Sequence, residues 1–296
     1  MIVMSDFAVN FLDAMRAGGI FPKAGNPIIA DGRLHRAPAA DDKHGAKSIW
    51  YNLHPDAPAS GAGGNWRTGA RVKWCSKSGC TLTPAERETL KRRIEIDRQQ
   101  AEAERDCRHK EAAQRAARIW ASALPAAAGH PYLTRKAITP GIARATGGAL
   151  ILPIIDFGGA LYGLQFIDAH GAKRFISGMA KAGHFVPVGP MPDGSRPLWI
   201  AEGWATACTL ATMRPTACVI AGLDAGNLGA VAIEARRRWP GAAMVIAPDF
   251  DAVGRKKGLE AAQNARARIL PPPPVVPPGA TDWNDVAVAT REARHG

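Results

Sequence analysis

Three carboxylates stand out by type and spacing. Glu202 is followed by Gly203 at the end of a short apolar run, Leu198–Ala201. Asp249 and Asp251 follow a second such run, Ala243–Ala247, in the order Asp-Phe-Asp, and Gly254 comes three residues later. Brought together unpaired, such groups repel and raise one another's pKa. Magnesium relieves the repulsion, because it prefers oxygen ligands and binds through one or two carboxylates with phosphate and water. A site of that kind suits phosphoryl transfer, where a phosphate is aligned and developing charge is neutralised. An acidic pair alone is often only a solvated turn. A strand ending in Glu-Gly, then a β–α–β unit, then a strand ending in Asp-x-Asp-x-x-Gly is far more specific.

The surrounding pattern would position these residues. From Pro197 the chain alternates strands and helices: strand Leu198–Ala201, helix Trp204–Met213, strand Ala217–Ala221, helix Gly226–Trp239, strand Ala243–Ala247 and helix Gly258–Leu270. Repeated β–helix–β units predict a parallel sheet with helices on its faces. Ligands of such sheets bind beyond the carboxyl ends of the strands, where Glu202, Asp249 and Asp251 fall. Pro271 to Pro278 reads as extended and Trp283–Arg294 as a last helix.

Upstream lie four β-like segments, Ala149–Asp156, Ala160–Ile167, Lys173–Ser177 and His184–Val188. Turn signals at Asp156-Phe157-Gly158-Gly159 and Asp168-Ala169-His170-Gly171 predict an antiparallel meander. Thr83-Pro84-Ala85-Glu86 is a helix start. No Gly or Pro follows until Pro125, and the stretch between is rich in Arg, Glu, Gln and Ala. That predicts one long solvated connector helix. Residues 1–82 combine Gly, Pro and aromatics, with a short amphipathic helix expected at Ser5–Ala17 and strands near Trp50 and Trp74. The expected divisions are 1–82, 83–124, 125–196 and 197–296.

A chain of 296 residues with 46% hydrophobic content suits two compact units plus a connector. No apolar run reaches the roughly 20 residues of a membrane helix. The first residues lack a basic segment and carry Asp6 and Asp13, so no signal peptide is expected. Five irregularly spaced cysteines make no disulfide framework. A soluble, reduced, cytoplasmic protein without membrane contact is expected. Cys107, Cys208 and Cys218 read as core residues. Cys75 and Cys80, with His35, His44 and His54 upstream, lack a second cysteine pair, so zinc is not expected there. No Walker-type phosphate loop occurs, which excludes a helicase motor in this chain.

Lys and Arg number 38 against 26 Asp and Glu, a net charge of +12. The excess is spread along the chain, which favours a polyanionic partner such as nucleic acid. Trp50, Tyr51, Trp66 and Trp74 lie among Arg67, Arg71, Lys73 and Lys77. Aromatics beside cations suit stacking on single-stranded DNA. They equally suit the core of a small module poor in other large apolar residues.

The segments LWIAEGWATACTL (198–210), CVIAGLDAGNL (218–228) and MVIAPDFDAVGRKKG (244–258) resemble the Toprim domain. That domain is shared by bacterial-type DNA primases, topoisomerases, some nucleases and recombination-mediator proteins. Upstream, HPYLTRKAI (130–138), LILPIIDFGGALYGLQFI (150–167) and KRFISG (173–178) follow the order of the subdomain that precedes Toprim in bacterial-type primases. The whole is most similar to primase-like proteins of plasmids and phages.

The resemblance implies an α/β fold. A Toprim parallel-sheet domain with helices on both faces would follow an antiparallel α+β primase-like subdomain, a long connector helix and a small β-rich N-terminal module. It implies that Glu202 is a general acid/base or helps position a metal, and that Asp249 and Asp251 hold Mg²⁺, with Mn²⁺ as a substitute. Asp282 and Asp285, within TDWNDV, would help with a second ion. Chromosomal primases often carry an acidic residue four positions after the glutamate. Here that position is Thr206, and Asp224 is the candidate to supply the missing ligand. Arg135, Lys136, Lys173 and Arg174 are candidates to grip template phosphate or nucleoside triphosphate. Asn227 near a helix start, and Arg255 and Lys256 after the acidic pair, could contact nucleotide or strand, or serve as a cap and a solvated turn. The implied activity is synthesis of short RNA primers on single-stranded DNA for a mobile element, with a replicative helicase or initiator protein as possible partner. A Toprim nuclease and a noncatalytic DNA-binding accessory are the alternatives.

Overall fold

The computed structural model describes residues 6–79 and 81–295. The chain divides into two compact units, Met1–Glu102 and Ala103–Gly296.

The first unit opens with helix α1 (Asp6–Ala17), followed by strands β1 (His35–Ala37), β2 (Ile49–His54), β3 (Ser60–Asn65) and β4 (Arg71–Cys75). The strands form one antiparallel sheet in sequence order. Along β2, Ile49, Tyr51 and Leu53 are buried, while Trp50, Asn52 and His54 face outward. This is the period of two that a half-buried strand requires. The inner residues pack with Phe11 and Met15 of α1. Glycines in β3 permit that approach, since a Cβ at Gly61 would lie 3.1 Å from the Phe11 ring and one at Gly63 would lie 3.3 Å from Met15 Cε.

Helix α2 (Pro84–Ser122) runs 39 residues without a break. Its start is a capping box: Thr83 Oγ1 accepts the Glu86 N–H at 3.2 Å and the Glu86 carboxylate accepts the Thr83 N–H at 2.9 Å. Lys77 also holds that carboxylate, and the Glu86 pKa falls to about 2. Asp97, within the first unit, accepts from Asn52 and His54 on the outer face of β2. Cys107 is exposed on this helix, contrary to the core position expected for it. Only Ala112 and Ala116 of α2 are buried.

In the second unit, β5 (Leu124–Pro125), β6 (Arg144–Thr146), β7 (Ala149–Ile155), β8 (Leu161–Ile167) and β9 (Lys173–Phe175) make an antiparallel sheet in sequence order, with α3 (Pro131–Lys136) between β5 and β6. The Asp156 and Asp168 carboxylates close the two meander turns by accepting backbone N–H groups. The second sheet has the order β10-β12-β11-β13-β14. Its members are β10 (Val186–Val188), β11 (Leu198–Ala201), β12 (Cys218–Ala221), β13 (Met244–Ala247) and β14 (Arg268–Ile269). All neighbours are parallel except β10 and β12. Helix α4 (Trp204–Met213) packs in one core with the antiparallel sheet, and helices α5 (Ala225–Arg238) and α6 (Ala252–Asn264) pack in another. Helix α7 (Trp283–His295) lies beside α3 and α4.

Two elements differ from expectation. The segment ending at Val188 leaves the meander and pairs with β12. Its lead-in is fixed by Asn227, whose Oδ1 accepts the Gly183 N–H and whose Nδ2 donates to the His184 and Gly222 carbonyls. The third helix of the alternating region begins at Ala252, not Gly258, and the expected helix end at 268–269 is strand β14. Asp251 caps the helix by accepting the Gly254 N–H, and the two glycines inside it serve close packing.

We expect Asn227→Ala to lose about 2–4 kcal/mol of stability in urea unfolding, because it leaves one buried and two partly buried backbone groups without this partner. A loss below about 0.5 kcal/mol would show that β10 docks without this amide.

Candidate active site

The register of the parallel strands sets the site. Ala201 pairs with Ala221 on one side and Ala247 on the other. The three strands therefore end in step, and Glu202, Gly222 and Asp249 emerge on one rim. Helices α4, α5 and α6 start at that rim, with Gly203, Asp224 and Asp251 as their N-caps. Asp224 and Asp251 each cap with a side-chain oxygen, whereas no side chain caps α4.

Glu202 and Asp249 meet directly. The Asp249 N–H donates to Glu202 Oε2 at 3.3 Å. A Cβ at Gly254 would stand 2.6 Å from the Asp249 carbonyl oxygen and 3.1 Å from Glu202 Oε2. A Cβ at Gly258 would stand 2.6 Å from the Pro248 ring. These glycines let α6 approach the turn that presents the acids.

Burial raises the Glu202 pKa, and the Asp251 and Asp224 charges add to it against backbone donors. Asp249 is pushed up to about 7, first by burial, then by Glu202 and Asp282, with Lys173 pulling the other way. Among the described residues, buried Asp249 Oδ1 has no hydrogen-bond partner. The rim is thus short of positive charge. An orphaned carboxylate oxygen among repelling acids fits a hard divalent cation. In this geometry no cluster of three His, Cys, Asp or Glu side chains among the described residues is gathered to hold one.

The C-terminal segment joins the rim through the Phe250 N–H, which donates to the Thr281 carbonyl at 2.7 Å. Asp282 Oδ1 accepts the Asp285 N–H at the start of α7. Asp285 accepts from Thr281 and pairs with Lys136 at 2.7 Å. Burial raises its pKa, but Lys136 and Thr281 outweigh that and hold it below the ordinary value. Asp285 is thereby satisfied by protein, while Asp282 retains its electrostatic influence on Asp249.

Residues 197–293 match the Toprim domain family. This segment is a Toprim domain. The chain is also 33% identical, over 279 residues, to an Escherichia coli DNA primase TraC, covering 88% of this chain and 19% of that protein. A second Escherichia coli DNA primase TraC is 33% identical over 278 residues, covering 88% and 26%. The chain therefore spans about a quarter or less of the length of the curated relatives it matches. Among solved structures, the Aquifex aeolicus primase zinc-binding and RNA polymerase domains align with 12% identity and a TM-score of 0.44, covering 99% of this chain and 85% of that one.

Around the Toprim rim the candidate cations sort into distinct groups. Lys173 reaches it from β9, with Nζ 3.8 Å from the place a Cβ would take at Gly203. Arg174 and Lys256 are exposed and form no ion pair among the described residues. Arg135 donates to the Ala169 carbonyl and lies over the Tyr132 ring, Lys136 holds Asp285, and Arg255 donates to the Phe250 carbonyl. The Asn227 amide is committed to the fold, as described above. Asp224 is paired with Lys181, a residue the sequence pattern did not single out. Thr206 is buried in the first turn of α4.

Asn284 also escaped notice between the two aspartates of TDWNDV. It is buried and donates to the Lys136 carbonyl and Thr209 Oγ1, fastening α7 to α3 and α4. Cys75 is a free thiol at the end of β4, and the Cys80 partner considered for it lies outside the described residues.

The raised Asp249 pKa fixes the sign of a pH effect. In the unfolded chain the group titrates near 3.8, and in the folded chain near 7. The folded state therefore holds the extra proton, and stability is lost as pH rises through that window. In a chelating buffer, Asp249→Asn should gain on the order of 2 kcal/mol relative to the native protein between pH 4 and pH 8. Thermal unfolding across that range measures it, and a gap independent of pH would contradict the repulsion.

Proposed function

We propose that this chain is a Toprim primase that joins ribonucleotides on single-stranded DNA to make short RNA primers for replication of a mobile element. The rim carries the assignment: Glu202 and Asp249 share a partly buried position beside Asp251, and Asp249 keeps a buried oxygen without a partner among the described residues. Identity at the 33% level to two Escherichia coli proteins named DNA primase TraC, across 88% of the chain, supports the choice of reaction.

Glu202 takes the role of general acid/base at the primer 3′-hydroxyl, since burial raises its pKa above the ordinary carboxylate value and makes it a stronger proton acceptor. Asp249 and Asp251 would hold Mg²⁺, or Mn²⁺ in its place, with Asp282 as a further carboxylate whose charge acts on Asp249. A divalent cation bound there supplies charge neutralisation for the triphosphate. Lys173 orients the nucleotide phosphates over the rim, and the uncapped start of α4 offers backbone N–H groups to the same anion. Arg174 and Lys256 contact template phosphate. Asp285, Lys136, Arg135, Arg255 and Asn227 position the surrounding backbone. Asp224 with Lys181 closes the side of the rim next to α5. Template, nucleoside triphosphates and a helicase or initiator protein would be met in the cytoplasm.

Purified protein with mixed-sequence single-stranded DNA, Mg²⁺ and labelled ribonucleotides should yield short labelled products. Asp249→Ala and Glu202→Gln should each reduce their rate by about 10²–10⁴-fold without loss of folded structure by circular dichroism. Full activity in Asp249→Ala would overturn the site. Metal-dependent nicking of plasmid without nucleotides would replace the primase by a nuclease. DNA binding with no product in either assay would leave a noncatalytic accessory.

A further inference from the structure

The first unit sorts its clustered aromatics onto two faces. Tyr51 and Trp74 turn inward toward Phe11. Trp50 and Trp66 lie on the other side, with ring centroids 5.7 Å apart and planes tilted by 38°. Trp66 is 55% exposed. The Arg36 guanidinium lies 5.6 Å from its ring centre.

The strand register arranges this outer face in rows. Arg36 stands opposite Trp50, Trp50 opposite Gly64, and Gly64 opposite Arg71. In the next row Asn52 stands opposite Ala62, and Ala62 opposite Lys73. Strand β3 thus gives a floor of small residues between Trp50 and the cations of β4. The Trp50 indole lies across that floor, because a Cβ at Gly64 would be 2.6 Å from its Nε1.

Arg36, Arg71 and Lys73 are exposed, and none makes an ion pair among the described residues, whereas nearby Arg67 pairs with Asp41. The core of the unit is complete without Trp50 and Trp66. Packing therefore does not account for two large aromatics on an outer face beside three uncompensated cations.

We propose that this outer face is a docking platform for single-stranded DNA. Bases stack on Trp66 and Trp50, and Arg36, Arg71 and Lys73 take the phosphates on either side. Stacking requires an accessible base face, which duplex DNA does not offer. Cations without carboxylate partners complement a polyanion. The choice of DNA rests on the primase reading.

The test uses the full chain and a fluorescent oligo-dT strand, in chelator and without nucleotides, so that it does not depend on catalysis. Trp66→Ala should weaken binding by about 5-fold or more. The double change Arg71→Glu with Lys73→Glu should weaken it further and flatten its salt dependence. Oligonucleotides carrying 5-iodouracil should photocrosslink to peptides containing Trp50 or Trp66. Unchanged affinity in both variants, with crosslinks confined to Ala103–Gly296, would overturn the proposal. Equal affinity for duplex, or tighter binding of oligo-rU than oligo-dT, would overturn its assignment to single-stranded DNA. Trp66 is exposed, so its replacement keeps the test valid if the double variant does not fold.

Discussion

Three parallel strands end in step, and the site depends on that register. Because Ala201 is flanked by Ala221 and Ala247, the residues after each strand emerge side by side. The chain places a glutamate after one strand and an aspartate pair after another. Burial, with repulsion from Glu202 and Asp282 added to it, lifts the Asp249 pKa to about 7. Such a rim is unfavourable by itself and becomes favourable with a cation and a phosphate.

Much of the nearby structure supports this arrangement. Gly254 and Gly258 bring α6 against the Asp249 backbone and Pro248. A glycine in a helix interior costs about 1 kcal/mol relative to alanine, and here any side chain would displace the acids. The Thr281 carbonyl ties the C-terminal segment to the same place, and Asn284 fastens α7 to α3 and α4. Lys173 arrives from the antiparallel sheet, so the two sheets of the second unit meet at the rim through a basic residue from one and acidic residues from the other.

The sequence made the alternating region readable because short apolar runs end in chemically distinct residues. Leu198–Ala201 and Trp204–Met213 match the structure residue for residue. The start of α6 lies at Ala252, ahead of the expected Gly258, because the Asp251 cap and the close packing at Gly254 become evident only in three dimensions. The departure of β10 from the meander was invisible because it depends on Asn227, some 40 residues away in sequence. The acids themselves were legible, and their partners were not. Nothing local tells that Lys136 faces Asp285 or Lys181 faces Asp224, since these pairs span residues far apart in the chain. The aromatic cluster of the first unit was legible as a group, but its division into core and surface required the strand register.

The central claim is that the rim is short of positive charge and takes a divalent cation. Electron paramagnetic resonance of Mn²⁺ titrated into the native protein and into Asp249→Asn tests it most directly. Saturable binding by the native protein that is strongly weakened in the variant, and that Mg²⁺ displaces, is the predicted result. Equal binding by both proteins, or none by the native one, would contradict it.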